Sequence, residues 1–97
     1  MALVNMVDSA LIVRLQRYVK ATTLVPGDDA GISAREVNNL ATSVKLFAEA
    51  GAQKDAAVQA VALAKVYEGT SWHPEVKRRV ETLLKQWRFE KLIDGDA

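Results

Sequence analysis

Residues 33–51, SAREVNNLATSVKLFAEAG, carry both a start signal and a stop signal for a helix. Ser33 is a preferred N-cap residue, and Glu36, three residues later, completes the reciprocal pattern called a capping box. Apolar residues then recur at the spacing of a helix with one buried face, and Gly51 ends the pattern. Leu46 is the exception, since it points nearly opposite to that face. The stretch therefore predicts an amphipathic helix over residues 34–50.

The next stretch, AQKDAAVQAVALAKVYEG (residues 52–69), predicts a helix of different character over residues 53–68. Its apolar residues, many of them alanine, occupy most of the helix circumference. Such a helix is normally buried on several sides, so we expect this Ala-rich third helix to lie at the centre of the domain. Because only a glycine turn separates it from the second helix, the two should be antiparallel neighbours.

Residues 40–68 partly resemble a tetratricopeptide unit, a repeat made of two helices. The resemblance depends on Phe47, Gly51 and Ala56. The segment departs from the repeat pattern at Val44, where that pattern has a small residue, and it lacks the closing proline. The resemblance implies a helical hairpin and no particular function.

Two further helices flank this pair. A loop that contains Pro26 separates the first helix from the second, and Pro74 suits the first turn of the last helix, where its missing amide proton costs nothing. The chain is therefore predicted to be all-α, a single compact four-helix domain over residues 1–97. The four helices are expected at residues 4–21, 34–50, 53–68 and 74–92.

The composition restricts the classes of function. The chain has 97 residues, 49% of them hydrophobic and 26% charged, the balance of an ordinary globular domain with one core. Its formal net charge of +1 is too small to indicate a nucleic acid or a membrane surface as a partner. There is neither a signal-peptide pattern nor an apolar run of the roughly 18 residues that a membrane span needs. We expect a cytoplasmic protein with no membrane contact.

Residues for catalysis or metal binding are scarce. The chain has no cysteine, and His73 is its only histidine, so a zinc or haem site would have almost no ligands. No phosphate-binding loop, nucleophile motif or dinucleotide fingerprint is present. We therefore expect no enzymatic activity, no cofactor and no small-molecule substrate.

The end of the last helix breaks its own pattern. A narrow apolar stripe runs as far as Trp87, but Phe89, Leu92 and Ile93 would fall on the polar side if the helix continued. In one interpretation, the helix ends or bends near Arg88 and the tail folds back onto its own bundle. In the other, the helix continues and these residues contact a second chain, as exposed apolar clusters usually do.

Binding to a protein is the function that these observations favour. We predict a small non-enzymatic interaction module, such as a subunit, an adaptor or a chaperone-like factor, whose partner is a second copy or another protein. The predicted partner-binding residues are Phe89, Leu92, Ile93, Leu46 and Trp72.

The basic side of the last helix offers an alternative, a small DNA-binding regulator that would use Arg78, Lys85 and Arg88. Acidic residues interrupt this basic side, and Glu81 precedes Lys85 by four residues, a spacing that allows an ion pair along the helix. A solvated face with internal ion pairs is therefore the preferred interpretation of these charges.

Overall fold

A computed structural model describes the backbone of residues 2–24 and 32–94, and the side chains of residues 9–24 and 32–93. The predicted loop around Pro26 lies outside the described residues. These residues form four α-helices and no β-strand, which confirms the predicted all-α four-helix domain. The helices are α1 (Ala2–Thr23), α2 (Ala34–Glu49), α3 (Gln53–Val66) and α4 (His73–Trp87), and a short 3₁₀ helix (Glu90–Asp94) follows them.

The helices form a ring in which each one contacts its neighbours in sequence, and the ring closes between α1 and α4. Within the described residues, no Cα atom of α1 lies within 8 Å of one in α3, and the same holds for α2 and α4. Helix α3 lies against α2, α4 and the 3₁₀ helix. Its outer side still faces solvent, where Val58 is 46% exposed.

Small residues allow α3 to pack closely against its neighbours. Four of the five residues that α3 buries are alanines, and short side chains let adjacent helices approach each other. The larger core side chains come mainly from the other helices, above all from α4, which buries Leu83, Leu84 and Trp87. The remaining fully or nearly fully buried apolar residues are Ile12, Leu15, Val19, Val37, Ala41, Val44, Tyr67, Val76 and Val80.

Local capping sets the start of α2. The backbone amide of Glu36 donates to Ser33 Oγ at 3.2 Å, which is the first half of the predicted capping box. Among the described residues, the Ser33 amide does not form the second bond of the box, to the Glu36 carboxylate. One side-chain cap is thus enough to place the start at the predicted residue.

The end of α2 is a Schellman motif. Gly51 adopts a left-handed conformation with φ 82°. Its amide donates to the carbonyl oxygen of Ala48 at 3.1 Å, and the amide of Ala52 donates to that of Phe47 at 2.8 Å. These two bonds satisfy carbonyl groups that the helix leaves without partners, and the chain turns directly into α3.

Helix α4 ends at Trp87, so the predicted helix over residues 74–92 is too long at its C-terminal end. Arg88 adopts the left-handed conformation, with φ 63° and ψ 39°. Its amide donates to the Lys85 carbonyl oxygen at 3.2 Å, and the amide of Phe89 donates to that of Leu84 at 2.8 Å. This is the same capping motif as at the end of α2, with arginine in the place of glycine. The chain therefore turns, and the 3₁₀ helix packs against α3 and α4.

Candidate protein interface

The turn at Arg88 decides where the apolar tail lies. Phe89, Leu92 and Ile93 pack against the core of their own chain and are partly buried. Of the two interpretations of this tail, the structure shows the first, in which it folds back onto its own bundle. Each of the three side chains keeps part of its surface in solvent, so their contact with a partner stays a prediction.

The tail residues divide between two concave surfaces. Phe89 and Leu92 line an open groove of ≈ 610 Å³ at the end of α4, and we call it the tail groove. Ile93 instead lines a pocket between α3 and the start of α4, together with Val61 and His73. That pocket has ≈ 60 Å³, room for only a few water molecules. Of these two surfaces, the tail groove is the one with room for a side chain from a partner. The full lining of the tail groove is Lys85, Arg88, Phe89, Glu90, Lys91 and Leu92.

The other two predicted partner-binding residues lie elsewhere. Leu46 is 58% exposed on α2, and α2 contacts neither α4 nor the 3₁₀ helix. Trp72 is half-buried just before α4, where its ring meets that of Tyr67 edge-on, with the centroids 6.4 Å apart and the planes at 88°. The structure therefore does not bring the five predicted residues together into one surface.

Among residues 9–24 and 32–93, four exposed large apolar residues were not selected from the sequence. Leu24 is the most exposed of them, at 72%, and it follows the last turn of α1. Phe47 lies at the margin of the apolar stripe of α2, and that marginal position is the signal that could have identified it. The full set is Val13, Leu24, Phe47 and Val58.

The basic side of α4 is divided in the same way. Arg78 is bound to Glu75 through two hydrogen bonds, from Nε to Oε1 at 3.2 Å and from Nη2 to Oε2 at 2.5 Å. The bond with Arg78 is the main reason that the pKa of Glu75 lies below its ordinary value. Lys85 and Arg88 line the tail groove, and Arg78 does not. The tail groove therefore contains two of the three residues predicted for DNA binding, and Arg78 lies outside it.

Arg79 links α4 to α1. Its Nε lies 2.7 Å from Glu75 Oε2, and its guanidinium carbon lies 4.9 Å from the ring centroid of Tyr18. A guanidinium over an aromatic ring is attracted by the negative face of the ring. Burial, followed by the charge of Glu75, raises the pKa of Tyr18 above its ordinary value, and the charge of Arg79 opposes them. This cluster joins α4 to α1 through an ion pair and a cation–π contact, although the buried Nε of Arg79 makes no hydrogen bond.

In the part of the chain that the structure describes, no three histidine or acidic side chains lie close enough together to hold a metal ion. None of the four helices combines the length and the apolar character needed to cross a bilayer.

No protein-family model matches this chain, and no curated protein or solved structure matches it either. The tail groove and the exposed side chains are therefore the basis for assigning a function.

Proposed function

We propose that this protein is a small non-enzymatic, cytoplasmic interaction module that binds a protein partner in the tail groove. The observation that carries the proposal is the position of Phe89 and Leu92, which place apolar surface in an open groove beside charged side chains. Removing apolar surface from water contributes about 25 cal/mol per Å², so an apolar side chain of a partner would gain stability there.

A fixed backbone supports binding at this groove. The capping bonds at Arg88 and Phe89 hold the turn, and the 3₁₀ helix lies against two helices of the bundle. A surface that is already ordered loses little conformational entropy when it binds. The tail groove can therefore accept a partner without first being rearranged.

The DNA-binding alternative has less support. Arg78 is already paired with Glu75, and Glu90 adds a negative charge to the groove that contains Lys85 and Arg88. A carboxylate in that position repels the phosphates that the two cations would attract. Competition between a short DNA duplex and a bound peptide distinguishes the two functions.

Peptide display on the immobilised 97-residue chain tests the proposal. A random library of 12-residue peptides is selected, and the enriched peptides are synthesised and titrated by fluorescence anisotropy. We expect saturable binding that Leu92→Ser weakens about fivefold or more, since the serine removes apolar contact area. Circular dichroism of the Leu92→Ser variant should show an unchanged helix content.

Leu24→Ser is the matched control, because it also replaces an exposed leucine by serine. Leu24 lies two residues after Thr22, which bonds to Tyr67 near the start of α4. The tail groove lies at the other end of α4, about 22 Å away for a 15-residue helix. Equal losses from Leu24→Ser and Leu92→Ser would contradict the proposal. So would the absence of any saturable peptide, if light scattering also shows a monomer at every concentration.

A further inference from the structure

We propose that the ligand of the tail groove is an acidic peptide segment of a different protein, with at least one large apolar side chain. This inference rests on the proposed function and adds the chemistry of the partner. It follows from the charge of the groove, from the symmetry that a self-complex would need, and from the backbone conformation of Arg88.

The tail groove combines apolar side chains with an excess of positive charge. Three cations, Lys85, Arg88 and Lys91, share the lining with a single carboxylate, that of Glu90. The chain as a whole is almost neutral, with a formal net charge of +1, so the positive charge is a local property of this surface. Charge of one sign around an apolar contact selects partners of the opposite sign and steers their approach. Carboxylates around one apolar side chain match this pattern.

A second copy of the chain would match the charge pattern of the tail groove poorly. In a symmetric dimer, the same surface of both copies meets across the two-fold axis. Two tail grooves would then bring six cations and only two carboxylates together. Like charges that face each other in an interface are unfavourable, so symmetry disfavours self-association through this surface.

The conformation and the side chain of Arg88 also favour an acidic ligand. Its left-handed φ of 63° is a conformation that glycine adopts freely and that a residue with a Cβ atom adopts at a cost. Backbone outliers of this kind are frequent where a side chain serves a function. A guanidinium offers a planar pair of donors that fits a carboxylate in bidentate geometry. Arg88 is therefore the residue that we expect to contact a carboxylate of the ligand.

Arg88→Gly separates binding from folding. Glycine keeps the left-handed turn and removes the guanidinium, so this variant should unfold at a higher temperature than the parent chain and still bind less tightly. We expect a loss of about fivefold in affinity for the peptides that the display experiment enriches. Lys45→Glu is the control for charge, because Lys45 lies exposed on α2, which has no contact with α4. It should change the affinity less than about twofold.

The composition of the enriched peptides is the primary readout. We expect a net charge of about −2 or below, at least one Phe, Leu, Ile or Trp in each peptide, and affinity that falls as sodium chloride is added. In ¹⁵N spectra of the full chain, the shifts caused by a synthesised peptide should cluster at residues 85–92. A 20-base-pair DNA duplex should not displace the peptide.

The possible failures are distinguishable. Neutral or basic peptides that Leu92→Ser still weakens would overturn the acidic ligand and leave the proposed function in place. Displacement by the duplex, with the same cluster of shifts, would overturn it in favour of nucleic acid. Unchanged affinity in Arg88→Gly would mean that the Arg88 guanidinium does not contribute to binding the ligand. If no peptide binds saturably, the acidic ligand is contradicted, and the proposed function is contradicted with it when light scattering also shows a monomer at every concentration.

Discussion

The hydroxyl group of Tyr67 forms a short chain of hydrogen bonds inside the core. It lies 2.6 Å from Oγ1 of Thr22, which in turn donates to the carbonyl oxygen of Val19 at 2.7 Å. Since the single hydroxyl proton of Thr22 goes to Val19, the proton between the two side chains must come from Tyr67. Both side chains are buried, so water cannot replace either bond. These two hydrogen bonds join the end of α1 to Tyr67, the residue that follows α3.

Removing either hydroxyl should destabilise the fold. We expect Tyr67→Phe to lower the free energy of unfolding by about 1 kcal/mol, and Thr22→Val by about 1–3 kcal/mol, because the valine leaves the buried tyrosine proton without an acceptor. The double variant should lose less than the sum of the two, since the second change removes a group whose partner is already gone. Urea unfolding of the four proteins measures the coupling.

Thr23→Val is the control for this cycle. The Thr23 hydroxyl also donates to a carbonyl oxygen three residues earlier, that of Lys20, but at an exposed position. Its replacement should change the stability by no more than about 0.5 kcal/mol. Equal losses from Thr22→Val and Thr23→Val would mean that the bond to Tyr67 contributes nothing.

This pair of residues could not be found from the sequence. Thr22 and Tyr67 are separated by 45 residues, and no local pattern connects them. The predicted first helix also ends at residue 21, one residue before Thr22, whereas α1 continues to Thr23. Hydroxyl groups pair through the packing of whole helices, which is a long-range property.

At the scale of the helix, α2 and α4 end in the same motif with different residues. The left-handed position is Gly51 in one and Arg88 in the other, with φ 82° and 63°. At Gly51, an added Cβ atom would meet no atom within 4 Å, so a substitution there would change the backbone energy without a steric clash. Replacing Gly51 by alanine therefore introduces the backbone cost of a left-handed residue with a Cβ atom, and replacing Arg88 by glycine removes that cost.

We expect Gly51→Ala to lower the free energy of unfolding by about 1 kcal/mol and Arg88→Gly to raise it by a similar amount. The reason is the cost of a left-handed conformation for a residue with a side chain. Guanidinium-induced unfolding of both variants provides the comparison. Changes of the same sign in both variants would be inconsistent with a shared backbone cost.

The ends of α2 and α4 show which helix bounds can be predicted from the sequence. The bounds of α2 follow from local signals, a serine cap and a glycine stop, and they agree with the structure within one residue. The end of α4 has no such signal, because arginine is common inside helices. Its turn is stabilised by tertiary packing, the partial burial of Phe89, Leu92 and Ile93 against the bundle. Sequence patterns within one helix do not contain that information.

At the scale of the molecule, the arrangement of the helices fixes which surfaces remain exposed. The sequence predicts four helices and the hairpin of α2 and α3, but it does not predict that α1 lies between α2 and α4. For the same reason it could not show that Leu46 and the tail groove belong to different surfaces. The sequence predicts Phe89 and Leu92 as partner-binding residues, but which of the predicted residues share a surface depends on how the helices pack.

The two tyrosines predict how the stability of the molecule depends on pH. Burial is the largest cause that raises the pKa of Tyr67, and likewise that of Tyr18, above their ordinary value near 10. Below about pH 9, both residues hold their protons in the folded and in the unfolded chain. As the pH rises further, the unfolded chain releases these protons first, so the folded state binds more protons and its stability falls.

We therefore expect the urea midpoint to be nearly constant from about pH 7 to about pH 9 and to fall above about pH 10. The Tyr67→Phe variant has one buried phenol fewer, so its midpoint should fall less over the same range. Denaturation curves of both proteins between about pH 8 and about pH 11 make the comparison. An equal fall in both would assign the alkaline loss to other groups.

The position of α1 in the ring has a consequence for the newly made chain. Of the four helices, α1 is synthesised first, and its buried residues Ile12, Leu15 and Val19 pack in a core that α2 and α4 close on either side. The α2–α3 hairpin can form while translation continues, but α4 is the last of the four to leave the ribosome. One side of α1 therefore stays open to water until residues 73–87 have emerged, and the nascent chain is most exposed to aggregation in that interval.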